Sequence, residues 1–166
     1  KEIINNYQKY HENILLINKK NSGHGHTILQ GYKYAIENRY KLVMQIDSDN
    51  QFSSADFNLI WSQKDLNYDL ILGNRKKRND PLLRVFLSKV ILRILILFLY
   101  FKDIKDANIP YRLIRVEMLR RYLNKLDFIP VAPNLLMSIY INKIKYIDIR
   151  HFQRKYGDVS WPILKL

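Results

Sequence analysis

Val43-Met44-Gln45-Ile46-Asp47-Ser48-Asp49-Asn50-Gln51 is an apolar strand that runs straight into two carboxylates and a carboxamide. In an open α/β sheet, ligands bind beyond the carboxyl ends of the strands, and that is where Asp47, Asp49 and Gln51 fall. Side chains alternate along an extended segment, so these three point the same way. They offer oxygens to a hard divalent cation, Mg²⁺ or Mn²⁺. The competing reading is a strand-end turn in which Asp and Asn cap the helix that follows.

Working outward, residues 1–12 read as a helix, 14–18 as a short buried strand, and 27–38 as a helix entered through Asn21-Ser22-Gly23-His24-Gly25. Residues 41–46 form the strand of the acidic motif. Ser53 with Asp56 three residues on predicts a capping box that opens a helix to about Lys64, and residues 69–72 predict a third strand. Strands separated by helices imply βαβ crossovers, hence an α/β fold with a mostly parallel sheet flanked by helices. The later part is less regular. It holds an apolar helix within 82–101, an extended 111–114, helices near 117–124 and 134–142, and a strand at 145–149, and is expected to cap the sheet.

A chain of 166 residues with 48% apolar content suits one globular domain, residues 1–166. The absence of cysteine excludes disulfides and thiolate metal sites and fits a reducing, cytoplasmic setting. Lys and Arg number 28 against 15 Asp and Glu, a net +13, which favours anionic partners: diphosphates, nucleic acid or an acidic membrane surface. The first residue is Lys1 and no signal-peptide pattern follows it, so the chain is expected to be a fragment or processed piece. The most apolar stretch, 82–101, is interrupted by Arg84, Ser88, Lys89 and Arg93, whereas a spanning helix needs roughly 20 mostly apolar residues. It is read as a core-packing helix, with a helix on the membrane surface as the alternative.

Several motifs in order resemble glycosyltransferase family 2, the inverting nucleotide-sugar transferases of GT-A fold, and within it the polyprenyl-phosphate sugar synthases. Asn21-Ser22-Gly23-His24-Gly25 resembles the family's N-x-G-K/H-G loop, and Asp47-Ser48-Asp49-Asn50-Gln51 its D-x-D-x-Q metal motif. Gly73-Asn74-Arg75 is similar to its G-S/N-R element, and residues 106–112 to its D-x-x-x-G-F-R segment. Residues 151–160, from His151 through Arg154 to Ser160, resemble its H-x-x-R-x-x-G-x-S loop. The resemblance implies Asp47, Asp49 and Gln51 at the metal and donor diphosphate. It implies Gly23, Arg75, Arg112, His151 and Arg154 at phosphate or acceptor contacts. The partners it implies are a nucleotide-diphosphate sugar and either a lipid phosphate or a glycan hydroxyl, in cell-envelope polysaccharide synthesis at the inner face of the membrane.

Sugar transfer builds oxocarbenium character at the anomeric carbon and negative charge on the departing diphosphate, so a divalent ion and guanidinium groups lower its barrier. Arg75 opens the run Arg75-Lys76-Lys77-Arg78, whose last three members read as surface. Asp106 is the candidate general base or acceptor-positioning carboxylate, with Asp103 as the alternative. A hydroxyl acceptor needs a base and an ionised phosphate does not. His24, His26 and His151 have no zinc-site spacing. Two departures leave the acceptor class open: Pro110-Tyr111-Arg112 replaces Gly-Phe-Arg, and Pro133-Asn134 stands where many hydroxyl-acceptor members carry an acid. The family's opening strand, helix and second strand, with the acid that holds the base, are expected to be missing before Lys1. The alternatives from other classes are a basic nucleic-acid-binding module and an inactive fragment that serves as an interaction piece; no nucleic acid is expected, because no recognised binding motif occurs and the aromatics are scattered through apolar segments.

Overall fold

Residues 2–75 and 90–153 are described by the computed structural model. Leu70-Ile71-Leu72-Gly73 is an unbroken apolar run, the mark of a strand covered on both faces. It forms the buried half of β2 (Leu70–Arg75), with β1 (Leu42–Gln45), β3 (Arg112–Arg115) and β4 (Ile144–Ile149) completing the described sheet. The strand order is β1-β3-β2-β4. β4 runs parallel to β2 from Leu70↔Ile144 to Arg75↔Ile149, whereas β3 is antiparallel both to β2 and to β1. β1, β2 and β4 therefore share one direction, as a mostly parallel sheet requires. The exception is β3, expected among the capping elements and found instead between β1 and β2. Its middle residues Leu113 and Ile114 are buried in the core, so burial favours this central place.

Six described helices follow the chain: α1 (Glu2–Gln8), α2 (His24–Glu37), α3 (Phe57–Trp61), α4 (Leu92–Tyr100), α5 (Val116–Leu123) and α6 (Pro133–Tyr140). α2 buries Gly25, Ile28, Leu29 and Tyr32, the i, i+3, i+4, i+7 stripe of a surface helix, together with Ala35, and packs on α5 and α6. From α5 come Val116, Leu119 and Tyr122, and from α6 Met137, all in the same cluster as the strand residues. Burial of this kind contributes about 25 cal/mol per Å² of apolar surface, and it is what holds the layers together.

Several expectations fail locally. Residues 14–18 form no strand: Ile14 and Leu16 are half-buried and Leu15 and Ile17 exposed, an alternation that has no ladder partner among the described residues. α1 ends at Gln8, where Lys9 and Tyr10 turn off with N–H bonds to Asn6 O and Tyr7 O. The capping box is absent. Ser53 makes no side-chain cap, a 3₁₀ turn over Ser54–Asp56 precedes α3, and the Asp56 carboxylate is taken by Arg150. Residues 82–89 of the apolar helix lie outside the described residues. The described part, α4, is not core-packed: of its residues only Ile96 is buried, because its apolar side chains point all round and one side suffices for packing.

Candidate active site

The shared direction of β1, β2 and β4, with β3 reversed, brings distant segments to one end of the sheet. There lie the residues after Gln45, Arg75 at the end of β2, the segment that enters β3 at Arg112, and His151 beyond the end of β4. A cavity of about 480 Å³ opens at this end, lined by Ile46, Asp47, Ser48, Asn50, Phe52, Ser53, Ser54, Phe57 and Tyr111.

Asp47 and Asp49 are both half-buried, while Ile46, Ser48 and Asn50 between and beside them are exposed. Asn50 takes a left-handed conformation, φ 58°, which Asn tolerates better than most residues, and the N–H of Gln51 donates to Asp49 Oδ1 at 3.2 Å. The extended course is thus interrupted by a turn at Asn50, between Asp49 and Gln51. Gln51 is a strut: its Nε2 donates to Phe152 O at 3.2 Å and its own carbonyl accepts from Phe152 N at 2.9 Å. Asp47 and Asp49 remain as the pair able to hold a divalent ion. Among the described residues no third His, Asp or Glu joins them in a cluster.

The cavity wall is aromatic. Phe52 is tilted against Tyr111 at 5.2 Å and meets the His151 ring edge-on at 5.5 Å, while Tyr111 donates to Ser53 O at 3.2 Å. His151, expected at a phosphate, is buried behind this wall against Phe52. Burial and the nearby Asp56 carboxylate push the Tyr111 phenol above its ordinary range. Burial also raises Asp56, but the Arg150 guanidinium and backbone N–H overcome it and hold that carboxyl low.

Arg75 and Asp106 are brought together. Arg75 Nε donates to Asp106 Oδ2 at 2.7 Å and Nη2 to Oδ1 at 2.8 Å, a fork on a carboxylate, with both side chains about one-tenth exposed. Asp106, expected as a base, has both oxygens engaged in orienting Arg75. Asp103, its alternative, is held the same way by Arg93, which lowers the Asp103 carboxyl.

Arg112 corrects the sequence reading most clearly. It is fully buried, and its guanidinium donates to the carbonyls of Ile109, Ala107 and Asn134 at 2.6–3.0 Å. Burial pulls its ionisation down, while Tyr32, Asp106, Tyr122 and Asp47 hold it up. It pins the segment before β3 to α6 and contacts no solvent, so a phosphate does not reach it. Beside it, Tyr32 OH bonds Gln45 Oε1 at 2.5 Å and Asn134 Oδ1 at 3.1 Å, and burial pushes that phenol up. This buried layer under the acidic motif has no sequence signal beyond Pro133-Asn134, which departs from the family pattern and whose Asn134 bonds both Tyr32 and Arg112.

Gly23 is exposed at the start of α2 with φ 92°, its N–H on Asn21 Oδ1 at 3.1 Å, and it is not part of the cavity wall. Gly25, the last residue of the same loop motif, is the tightly placed one: a Cβ there would lie 2.3 Å from Pro130 O. Arg154 lies outside the described residues.

An α/β domain with a mixed sheet and acidic residues just past one strand is compatible with the GT-A fold of glycosyltransferases. Residues 1–123 match Glycosyl transferase family 2, and the chain belongs to that family. It is 24% identical over 156 residues to the undecaprenyl-phosphate 4-deoxy-4-formamido-L-arabinose transferases of Salmonella paratyphi B, Salmonella newport and Salmonella heidelberg. Each match covers 92% of this chain and 45% of the relative, so the chain spans less than half the length of these curated relatives.

Proposed function

We propose that the protein transfers a sugar, with inversion, from a nucleotide-diphosphate sugar to a lipid phosphate. The carrying observation is the disposition of the carboxylates. Asp47 and Asp49 stand at the cavity end of β1, whereas Asp106 and Asp103, the expected bases, are each forked by an arginine. A hydroxyl acceptor must lose a proton as the bond forms, but a phosphate oxygen is already ionised and attacks without a base. The relatives' names specify undecaprenyl phosphate as their acceptor, which supports the same choice here.

Two carboxylates suit Mg²⁺ or Mn²⁺, which is commonly bound by one or two protein carboxylates with substrate phosphates and waters completing the shell. When bound, the ion would neutralise charge gathering on the departing diphosphate. Asp49 is fixed for that task by the Gln51 N–H, and Asp106 holds the Arg75 guanidinium in one orientation near the same end of the sheet. The acceptor phosphate oxygen attacks the anomeric carbon, the bond to the diphosphate oxygen breaks, and the electron pair leaves with the diphosphate.

Transfer to a polyprenyl phosphate and to the matching polyprenol, from a panel of nucleotide-diphosphate sugars, tests the acceptor. The phosphate is expected to be used and the alcohol not; equal transfer to both would sink the base-free reading. The metal assignment has a readout of its own. Titrated with Mn²⁺ and a nucleoside diphosphate, Asp49→Ala should bind at least about tenfold more weakly than wild type, about 1.4 kcal/mol.

A further inference from the structure

We infer that Tyr32, on α2, is a positioning residue for the acidic turn: its hydroxyl clamps Gln45, the last residue of β1, and thereby fixes where Asp47 stands. This role presupposes the reading of Asp47 as a metal ligand, and it falls on a residue that none of the sequence motifs includes. Among the described strands β1 is held on one side only, by β3, and its last pair is Gln45↔Arg112. Between that pair and the isolated bridge of Phe52 to His151 no described ladder holds the chain, and both Asp47 and Asp49 fall in the interval. A metal ligand has to be held to within about 0.5 Å, so the bonds made by the side chain of Gln45 bear directly on the site.

Burial alternates from Gln45 to Asp49, with Ile46 and Ser48 exposed between half-buried neighbours, so Gln45 and Asp47 face the same side. On that side lies the buried polar layer. The Tyr32 hydroxyl is 2.5 Å from Gln45 Oε1 and 3.1 Å from Asn134 Oδ1, and its one proton goes to the nearer oxygen. Tyr32 and Asn134 are 2% and 1% exposed, so the clamp is mounted on closely packed parts. Gln45 Nε2 and Asn134 Nδ2 are buried with no acceptor among the described residues. Buried donors of this kind cost stability, and a core that served packing alone would hold apolar side chains here. Such a cost is tolerated where a site gains from it. The field of Asp47 reaches the layer: burial is the main cause that raises the Tyr32 phenol, and the Asp47 carboxylate adds to it. Burial lowers the Arg112 ionisation, and the same carboxylate is among the groups that oppose this.

The test is a titration with Mn²⁺ in the presence of uridine diphosphate, read by water-proton relaxation, with thermal melting of every variant alongside. Tyr32→Phe removes the hydroxyl and keeps the ring; it should bind Mn²⁺ about tenfold more weakly, the low end of what losing a group that supports metal ligands costs. Tyr32→Phe/Gln45→Met replaces both partners by apolar groups, which favours folding but leaves the clamp open, so it should bind no more tightly than Tyr32→Phe. Val116→Ala thins the same core at the other end of β1, where the Val116 N–H donates to Lys41 O, and should bind like wild type although it is less stable. Undiminished Mn²⁺ binding by both Tyr32 variants overturns the inference, and so does an equal loss in Val116→Ala, which would make general destabilisation the cause. Asp47→Ala isolates the underlying reading. If it binds Mn²⁺ as wild type does, the metal assignment falls and the clamp with it; if it binds weakly while the Tyr32 variants bind normally, the clamp alone is refuted.

Discussion

Two glycines in α2 should respond to the same substitution with opposite sign. Gly31 is exposed with nothing within 4 Å of a built Cβ, so Gly31→Ala meets no obstacle. It should gain the full helix-propensity difference, about 1 kcal/mol, through a less disordered unfolded chain. Gly25 has the same intrinsic gain available, but its Cβ would sit 2.3 Å from Pro130 O and 3.1 Å from Val131 O. Ordinary contact begins at 3.4 Å and both obstacles are backbone, so α2 or the 130–131 segment must retreat by about 1 Å. Overpacking of this kind costs about 1–3 kcal/mol, and a 2.3 Å approach to backbone belongs at the upper end, so after the propensity gain the net loss is about 2 kcal/mol. At about 3 °C per kcal/mol for a chain of this size, Gly31→Ala should melt about 3 °C above wild type and Gly25→Ala about 6 °C below it. Paired urea and thermal melts decide the matter. If Gly25→Ala proves as stabilising as Gly31→Ala, the close approach of α2 to Pro130 is wrong.

Arg112→Met should cost about 3–5 kcal/mol in urea denaturation, because the carbonyls of Ala107, Ile109 and Asn134 lose a buried donor together; full stability with weakened donor binding would restore Arg112 to the ligand site. For Asp56 the native carboxyl is depressed below its ordinary value, so its contribution is present above the unfolded value near pH 4 and fades as pH falls through the lower native one. Asp56→Asn should therefore be less stable than wild type by about 1–2 kcal/mol at pH 7, with the gap closing below about pH 4; a gap independent of pH would mean that packing, not charge, sets the effect.

β1 was legible because it is an apolar run of strand length that stops at carboxylates. β2 was legible for a similar reason, as was α2, whose buried stripe repeats every three to four residues. Pairing order was not. Leu113 and Ile114 predict an extended segment, but nothing local says that it enters between β1 and β2. The capping box failed because Asp56 prefers a partner 94 residues away in sequence, and local spacing cannot weigh such a competitor. Arg112 was misplaced because a motif names a residue type without its depth, and a fully buried guanidinium looks identical in sequence to one facing a phosphate. The 14–18 segment has strand chemistry without a strand, since a ladder belongs to two chains and a propensity to one.

The place of β3 also governs the timing of folding. β1 lies at the edge of the described sheet and meets it only through β3, so Leu42–Gln45 is made well before its partner, Arg112–Arg115. During synthesis the strand that carries Asp47 and Asp49 toward the cavity waits for nearly seventy more residues, about 3–14 s at 5–20 residues per second. Contacts of such sequence separation must pay their loop-closure entropy before any ladder bond repays it, which makes this closure slow. Until it occurs, β1 has no neighbour to twist against and the acidic turn no fixed direction. The acidic end of the sheet is thereby among the last parts to take shape, and a nascent chain released before Arg115 holds its carboxylates on an unpaired, aggregation-prone strand.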